Sequence, residues 1–433
     1  MSRIASVLLP MPLPEAFDYA EPDGMGLELG DQVAAPLGPR LLRGVVVGLR
    51  EAAGGNRPLK PVEGILEEHR LPPNTVEFIQ WAARYAVDAP GSPLAIALRG
   101  ARAPKPRPVR VTEVTGIEPA RPTPARLKVL EIARGQTLSP PDLARAAGVS
   151  SGVVKALLDE GVLAVRLVDS EARFDDPDPG RPGAKLNASQ AAAAEALKSM
   201  LGEGGFNVAL LDGVTGSGKT EVYLEAAAAV LAADPAAQVL ILLPEIALTQ
   251  AVIARVASRF GAQPGEWHSD VAPPARRRVW EAVANGRCRI VVGARSALFL
   301  PFPNLKLIVV DEEHDASFKQ EEGFIYHARD LAVVRGRIEG AGVVLASATP
   351  SLETLRNAEA GRYRWLRLST RHGVAQLPDI ELIDLRETPP EHGRWLSPPL
   401  VTAMGETFAR GEQTLLFLNR RGYAPLVLCK ACG

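Results

Sequence analysis

The residues best placed to do chemistry are an octapeptide, Gly213-Val214-Thr215-Gly216-Ser217-Gly218-Lys219-Thr220, and an acidic tetrad, Asp311-Glu312-Glu313-His314. The octapeptide fits the pattern G-x-x-x-x-G-K-[ST] and lies between an apolar run, NVALLD, and an alanine-rich stretch that reads as a helix. In that context the pattern cradles phosphates. Its glycines let the backbone curl so that N–H groups point inward, and the helix N-terminus adds partial positive charge. Lys219 then brings a point charge to the β- and γ-phosphates, and the Thr220 hydroxyl is placed to ligate Mg2+. The tetrad closes a second apolar run, LIVVD. An acid at the carboxyl end of a strand beside a phosphate loop holds Mg2+ through water, the role expected of Asp311. Glu312 is placed to orient and deprotonate an attacking water. These groups predict a site for ATP with Mg2+.

For them to meet, the chain between must fold as alternating strands and helices. From about residue 186 the runs NVALLDG, QVLILLPE, RIVVGARS, KLIVVDEEH and GVVLASATP are separated by helical stretches. This predicts a parallel α/β sheet covered on both faces. Upstream, LNASQ offers Gln190 either to read an adenine edge or to cap a helix. PEIALT, with Thr249, and GARS, with Arg295 and Ser296, supply backbone N–H, hydroxyl and guanidinium groups that could hold the phosphates of a nucleic-acid strand. After the tetrad, ASFKQEEGFIYHARDLAVVR interleaves Phe318, Phe324 and Tyr326 with Lys319, His327 and Arg329 around a glycine. Aromatics among cations beside a nucleotide site suggest a loop that senses stacked bases, with packing as the plain alternative.

The remaining chain divides by composition. Residues 1–105 open with short apolar runs between turn residues, which reads as a β-rich domain followed by a helix. Residues 106–122 continue a basic, proline-rich stretch holding Arg99, Arg102, Lys105, Arg107 and Arg110, expected to be an extended linker. In residues 123–168, Ser139 and Ser150 are placed as helix caps and Gly148 as a tight turn, giving a helix-turn-helix with a wing. Such a winged helix contacts either DNA or protein. Residues 169–185 form a second linker, acidic and rich in Pro and Gly. Residues 186–371 carry the nucleotide site. Residues 372–433 enter another α/β unit, with a helix in LSPPLVTAMGETFARG and one strand in TLLFLNRRG. There Cys429 and Cys432 form a Cys-x-x-Cys, either half of a four-thiolate zinc site or a redox pair. With three cysteines in all there is no disulfide scaffold, and a net charge of −1 confines any nucleic-acid binding to local basic patches. No apolar run is long enough to span a membrane, so a cytoplasmic location is expected.

The motifs PLPEAFDY, GVTGSGKTEVYL, PEIALT, DEEHDASFKQEEGFIYHARDLA, SATPSLE and FLNRRGYAPLVLCKACG, taken in this order, resemble the PriA family of bacterial replication-restart helicases. The resemblance implies a multidomain chain: a β-rich N-terminal DNA-binding domain, a winged helix, then an α/β P-loop (RecA-like) helicase lobe 1 and the start of lobe 2. It implies a helicase that moves 3′→5′ on ATP, binds forked DNA with a nascent 3′ end and reloads the replicative helicase. Other primosome proteins, the helicase-loading machinery and single-stranded-DNA-binding protein are its implied partners. A 3′-end pocket would fall on Phe17, Asp18, Tyr19, Gly38 and Lys60, with Asp18 accepting from the terminal hydroxyl. Cys429 and Cys432 would open a zinc-binding insertion of the full-length protein. A second reading is a non-catalytic fork-binding and ATP-binding platform. Another kind of P-loop ATPase would leave the winged helix without a role.

Overall fold

The computed structural model describes every residue except 1–2, 52–58, 67–68, 102–108, 136–137, 169–173, 245–249, 370–378, 392 and 418–433. At the N-terminus β1 (Arg3–Leu8), β2 (Phe17–Ala20), β3 (Gln32–Leu37), β4 (Arg40–Glu51) and β5 (Gly64–Ile65) form an antiparallel sheet in the order β2-β1-β4-β3-β5. One face of it buries Ala5, Val7, Tyr19, Val33 and Val46 in a small core of its own. Two helices follow, α1 (Pro73–Ala86) and α2 (Gly91–Ala97).

The winged helix is present, and it is larger than the sequence suggests. Its strand β6 (Val109–Val114) lies inside the segment 106–122 expected to be linker. That expectation is corrected: β6 pairs antiparallel with β7 (Leu163–Val168) to form the wing. The strand begins directly after the last proline, Pro108, where backbone N–H groups for a ladder become available again. Between the two strands stand α3 (Pro124–Gly135), α4 (Pro140–Ala147) and α5 (Ser151–Asp159). Ser139 accepts from the Asp142 N–H and Gly148 ends α4 in the left-handed region at φ 66°. Ser150 holds the N-cap position of α5 without a side-chain bond.

A seven-stranded parallel sheet carries the rest, in the order β10-β11-β9-β12-β15-β8-β16. Its strands are β8 (Asn207–Gly213), β9 (Gln238–Leu242), β10 (Gly265–Trp267), β11 (Ile290–Gly293), β12 (Leu305–Asp311), β15 (Gly342–Ser347) and β16 (Arg364–Leu368). A two-strand hairpin, β13 (Lys319–Gln320) and β14 (Tyr326–His327), stands apart from it. The helices are α6 (Ala188–Gly202), α7 (Lys219–Ala233), α8 (Gln250–Phe260), α9 (Pro273–Ala284), α10 (Ala328–Glu339) and α11 (Leu352–Glu359). Successive strand residues alternate between two cores. Val208, Leu240, Leu242, Ile308 and Val310 face one, while Ala209, Leu211, Val239, Ile241 and Val309 face the other. Both faces are covered, which is why the strands read as unbroken apolar runs.

The first of these cores is shared with the N-terminal domain. Phe78, Ile79, Leu94 and Leu98 bury against Trp280, Phe299, Phe302 and Leu331. Arg335 of α10, wholly buried, donates to Thr75 Oγ1 at 3.1 Å, to Glu339 Oε1 at 3.0 Å and to the Leu298 carbonyl, and lies over the rings of Phe78 and Phe302. Trp280 Nε1 donates to the Ala97 carbonyl at 2.8 Å. Domain and lobe are therefore packed as one body along α1 and α2.

The expected linker 169–185 is also corrected where it is described. Phe174–Lys185 is laid onto the lobe: Phe174 packs on the shared core, Asp178 N–H donates to the Phe260 carbonyl at 2.8 Å, and buried Arg259 donates to the Arg181 carbonyl at 2.7 Å and to Glu225 at 2.8 Å. Beneath it lies Cys288, 1% exposed, whose thiol is pushed up to about 12 by burial. Alkylation of the native chain at neutral pH, mapped by mass spectrometry, is expected to leave Cys288 unmodified and to reach it only after denaturation.

Residues 374–433 form a separate unit. Its helix α12 (Pro398–Ala409) buries none of its side chains. Thr414–Phe417, expected as a strand, are not in one, and Leu415 and Phe417 are exposed. A strand needs a neighbour to complete its ladder, and none stands beside these residues among those described.

Candidate functional site

The phosphate loop leaves β8 at Gly213 and enters α7 at Lys219, at the carboxyl edge of the sheet where open α/β folds bind their ligands. Gly216 and Gly218 take left-handed φ of 77° and 81°. A Cβ on Gly218 would stand 2.3 Å from Gln190 Nε2, and one on Gly213 would stand 2.5 Å from Ser217 Oγ. The loop therefore needs glycine on two counts, conformation and room. Gly218→Ala is expected to lower nucleotide affinity by more than tenfold, about 1.4 kcal/mol, in a fluorescent-nucleotide titration.

Gln190 is buried, and both ends of its amide are engaged. Its Oε1 accepts from Asn187 N–H at 2.8 Å, closing a capping box on α6, and its Nε2 donates to the Ser217 carbonyl at 2.8 Å. The helix-capping role is the one observed, with the added effect of bracing the phosphate loop. Gln190 also lines the cavity that holds Lys219 and Asp311.

Lys219 Nζ, nearly buried, donates to the Gly213 carbonyl at 2.9 Å. From β12, Asp311 Oδ2 accepts from Tyr223 Oη at 2.9 Å and Oδ1 from Glu312 N–H at 3.0 Å. Burial pushes the Asp311 carboxyl up from its ordinary value, and burial with the Asp311 charge pushes the Tyr223 phenol well up. Glu312 has a left-handed φ of 51°, which a branchless glycine tolerates and a glutamate adopts at a cost. Glu312 lines the same cavity as Lys219, Thr220 and Asp311, with its Oε2 3.7 Å from His314 Nδ1. That cavity is about 350 Å3, within the ~300–1,000 Å3 usual for ligand sites, and Thr215, Glu221, Arg255 and Lys185 also line it. A glycine cradle, a buried Ser217 hydroxyl without a partner, and a cation facing a carboxylate pair fit a nucleoside triphosphate with its cation. The octapeptide, Asp311 and Glu312 are brought together; Val214 stands at the loop's exposed shoulder.

The tetrad is tied to the segment Ser347–Thr354. His314 Nδ1 and Ser347 Oγ are 2.7 Å apart, and Thr349 N–H donates to the same Ser347 Oγ at 3.0 Å. Glu313 was assigned no task by its sequence context, yet it is wholly buried there.

The aromatic loop is corrected. Phe318, Phe324 and Tyr326 are 1%, 5% and 6% exposed, and Phe324 and Tyr326 pack edge-on against Phe299, itself 5.2 Å from Phe78. Rings buried in a core are not available to stack on bases. The β13–β14 hairpin turns them inward and leaves Ile325 and Lys319 outside. Arg329 is likewise not free for DNA: it is buried between Glu313, Asp330 and Ser351. Arg295 donates to the Ser317 and Lys319 carbonyls at 2.7 and 3.2 Å, so it braces this loop, and Ser296 accepts from Trp267 Nε1 at 3.2 Å. Thr249, Cys429 and Cys432 lie outside the described residues, as do Arg102, Lys105 and Arg107.

In the N-terminal domain the five expected pocket residues do not converge. Gly38 and Lys60 share a cavity of about 360 Å3 with Pro36, Arg40 and Glu63, and Lys60 Nζ donates to the Gly38 carbonyl at 3.4 Å. Tyr19 reaches its rim by donating to the Pro36 carbonyl at 3.2 Å, and Phe17 packs beside it on the domain core. Asp18, one step along β2, faces the other way by strand alternation. It accepts from Ser6 Oγ at 2.8 Å and pairs with Arg50, whose hydrogen bond holds its carboxyl below the usual range.

With this geometry in place, the comparisons with known proteins are specific. Residues 6–99 match the 3′ DNA-binding domain model of PriA, and residues 187–358 match the DEAD/DEAH box helicase model. Replication restart protein PriA of Rickettsia felis is 34% identical over 100% of this chain and 56% of its own length. That of Haemophilus influenzae is 35% identical over 100% of this chain and 60% of its own, and that of Bacillus subtilis 39% over 67% and 36%. This chain thus spans little more than half the length of the relatives it matches throughout. Two family models in the expected order, each falling on a domain of the structure, and relatives matched from end to end place the chain in the PriA family of replication restart proteins.

Proposed function

We propose that this chain is the fork-recognising and ATP-using part of a 3′→5′ DNA helicase that restarts replication. The observation that supports it best is the cavity that joins Lys219, Thr220, Asp311 and Glu312, on a lobe packed into one body with a 3′ DNA-binding domain. Lys219 and the loop N–H groups would hold the triphosphate. Thr220 and Asp311 would hold Mg2+, which when bound neutralises charge on the β- and γ-oxygens. Glu312 orients the attacking water and takes its proton. The His314–Ser347 contact passes the state of that site to the segment after β15.

End recognition is proposed at the Gly38–Lys60 cavity, where a cation and backbone groups suit a terminal nucleotide. Asp18, on the opposite face of β2 and paired with Arg50, lies outside this cavity. The winged helix, the primosome proteins, the replicative helicase loader and single-stranded-DNA-binding protein complete the proposed setting, which is cytoplasmic. Zinc belongs to this proposal through Cys429 and Cys432 and the longer protein. No helix among the described residues is long and apolar enough to cross a membrane. The test compares forks ending in a 3′-hydroxyl and a 3′-phosphate, with Lys60→Ala beside the wild type. Weaker binding of the phosphate by the wild type, with both forks bound less tightly by Lys60→Ala, supports end recognition. Equal affinity for both ends refutes it.

A further inference from the structure

Glu313 is a carboxylate with no exposure at all, placed directly after the residue proposed to activate water. Burying a charge is costly unless donors replace its hydration. Four do: Ser351 N–H at 2.7 Å, Ser351 Oγ at 2.9 Å, Thr354 Oγ1 at 2.9 Å and Arg329 Nη1 at 3.3 Å. Its own N–H donates to the Ala346 carbonyl at 3.1 Å. The donors come from separate places. Arg329 opens α10 at the far end of the segment that begins at Asp315 and holds the buried rings. Ser351 and Thr354 begin α11, just past the Ser347 that meets His314. One carboxylate therefore joins the acidic tetrad, the 315–329 segment and the head of α11.

We propose that Glu313 is a positioning residue that couples the nucleotide cavity to the 315–329 segment and to α11. It acts through Glu312: fixing the next residue at both its backbone and its carboxylate holds Glu312 in its left-handed conformation. A shift at either Arg329 or Ser351 must then move the water-activating carboxylate. A merely structural anchor would lower stability without separating what happens at the cavity from what happens beyond it.

The proposal rests on the cavity being a nucleotide site, and the experiment separates the two. Hydrogen exchange of the whole chain is followed with and without Mg·ATPγS, in wild type, Glu313→Gln and Thr354→Val, beside a fluorescent-nucleotide titration. In the wild type, nucleotide is expected to slow exchange at 213–220 and also at 315–329 and 347–356. A change of about fivefold or more marks a real coupling. Glu313→Gln keeps nucleotide affinity and the response at 213–220 but loses the two distant responses. Thr354→Val, which spares the charge pair, weakens them in part and serves if Glu313→Gln does not fold. Distant responses that survive in these variants, or that are missing in the wild type while nucleotide binds, overturn the proposal alone. Failure of the wild type to bind nucleotide overturns both readings.

Discussion

Replacing Arg335 with leucine is expected to destabilise the chain by about 3–5 kcal/mol, the usual cost of removing one partner of a buried pair. The guanidinium has no exposed surface, and Glu339, its i+4 partner, has a side chain 3% exposed. The variant leaves that carboxylate with Asn74 Nδ2 at 3.0 Å as its remaining donor and leaves Thr75 Oγ1 and the Leu298 carbonyl without theirs. It also removes the cation from between the Phe78 and Phe302 rings. Because Thr75, Asn74 and Phe78 lie on α1, the loss falls on the join between the N-terminal domain and the lobe. Urea unfolding should therefore show a lower midpoint, and hydrogen exchange should rise first in 73–97 and 328–339. Replacing Arg335 and Glu339 together by methionine should cost much less, since no unpaired charge remains. A loss under about 1 kcal/mol for Arg335→Leu would mean the join does not depend on this residue.

Glu312→Gln is expected to cut ATP turnover by about 10²–10⁴-fold, the range of a positioned general base, with nucleotide binding retained. The amide keeps the shape and the left-handed backbone but cannot take a proton. The phosphate loop, Lys219 and Asp311 are untouched, so the effect should lie in kcat rather than KM. Steady-state kinetics decide it. A turnover within a few-fold of wild type would assign the base elsewhere in the cavity.

The nucleotide site was legible because its information is local. A strand, a glycine loop and a helix follow one another within β8 to α7, and the acids close a strand recognisable by its unbroken apolar run. The same locality explains the helix cap at Ser139. What stayed hidden is long-range. Arg335 stands in ARDLAVVRGRIEG, which looks like a solvated helix face, and its partner Thr75 is 260 residues away. Glu313 looks like one more acid in an acidic box until Ser351 and Thr354 fold onto it. The aromatic loop misled for a related reason: alternation of rings and cations says that two faces differ, not which one turns inward. At β6 the composition around Pro104, Pro106 and Pro108 outweighed six strand residues whose partner strand begins only at Leu163. Asp18 shows a smaller version, since three adjacent residues on a strand cannot all face one pocket.

The most direct test of the central claim, that this chain uses ATP in response to a fork, is its ATP turnover with and without forked DNA beside Lys219→Ala. Turnover that rises with the fork and falls to background in Lys219→Ala is the predicted result. Turnover no higher than in Lys219→Ala, with fork binding intact, would contradict it and leave the chain a recognition module.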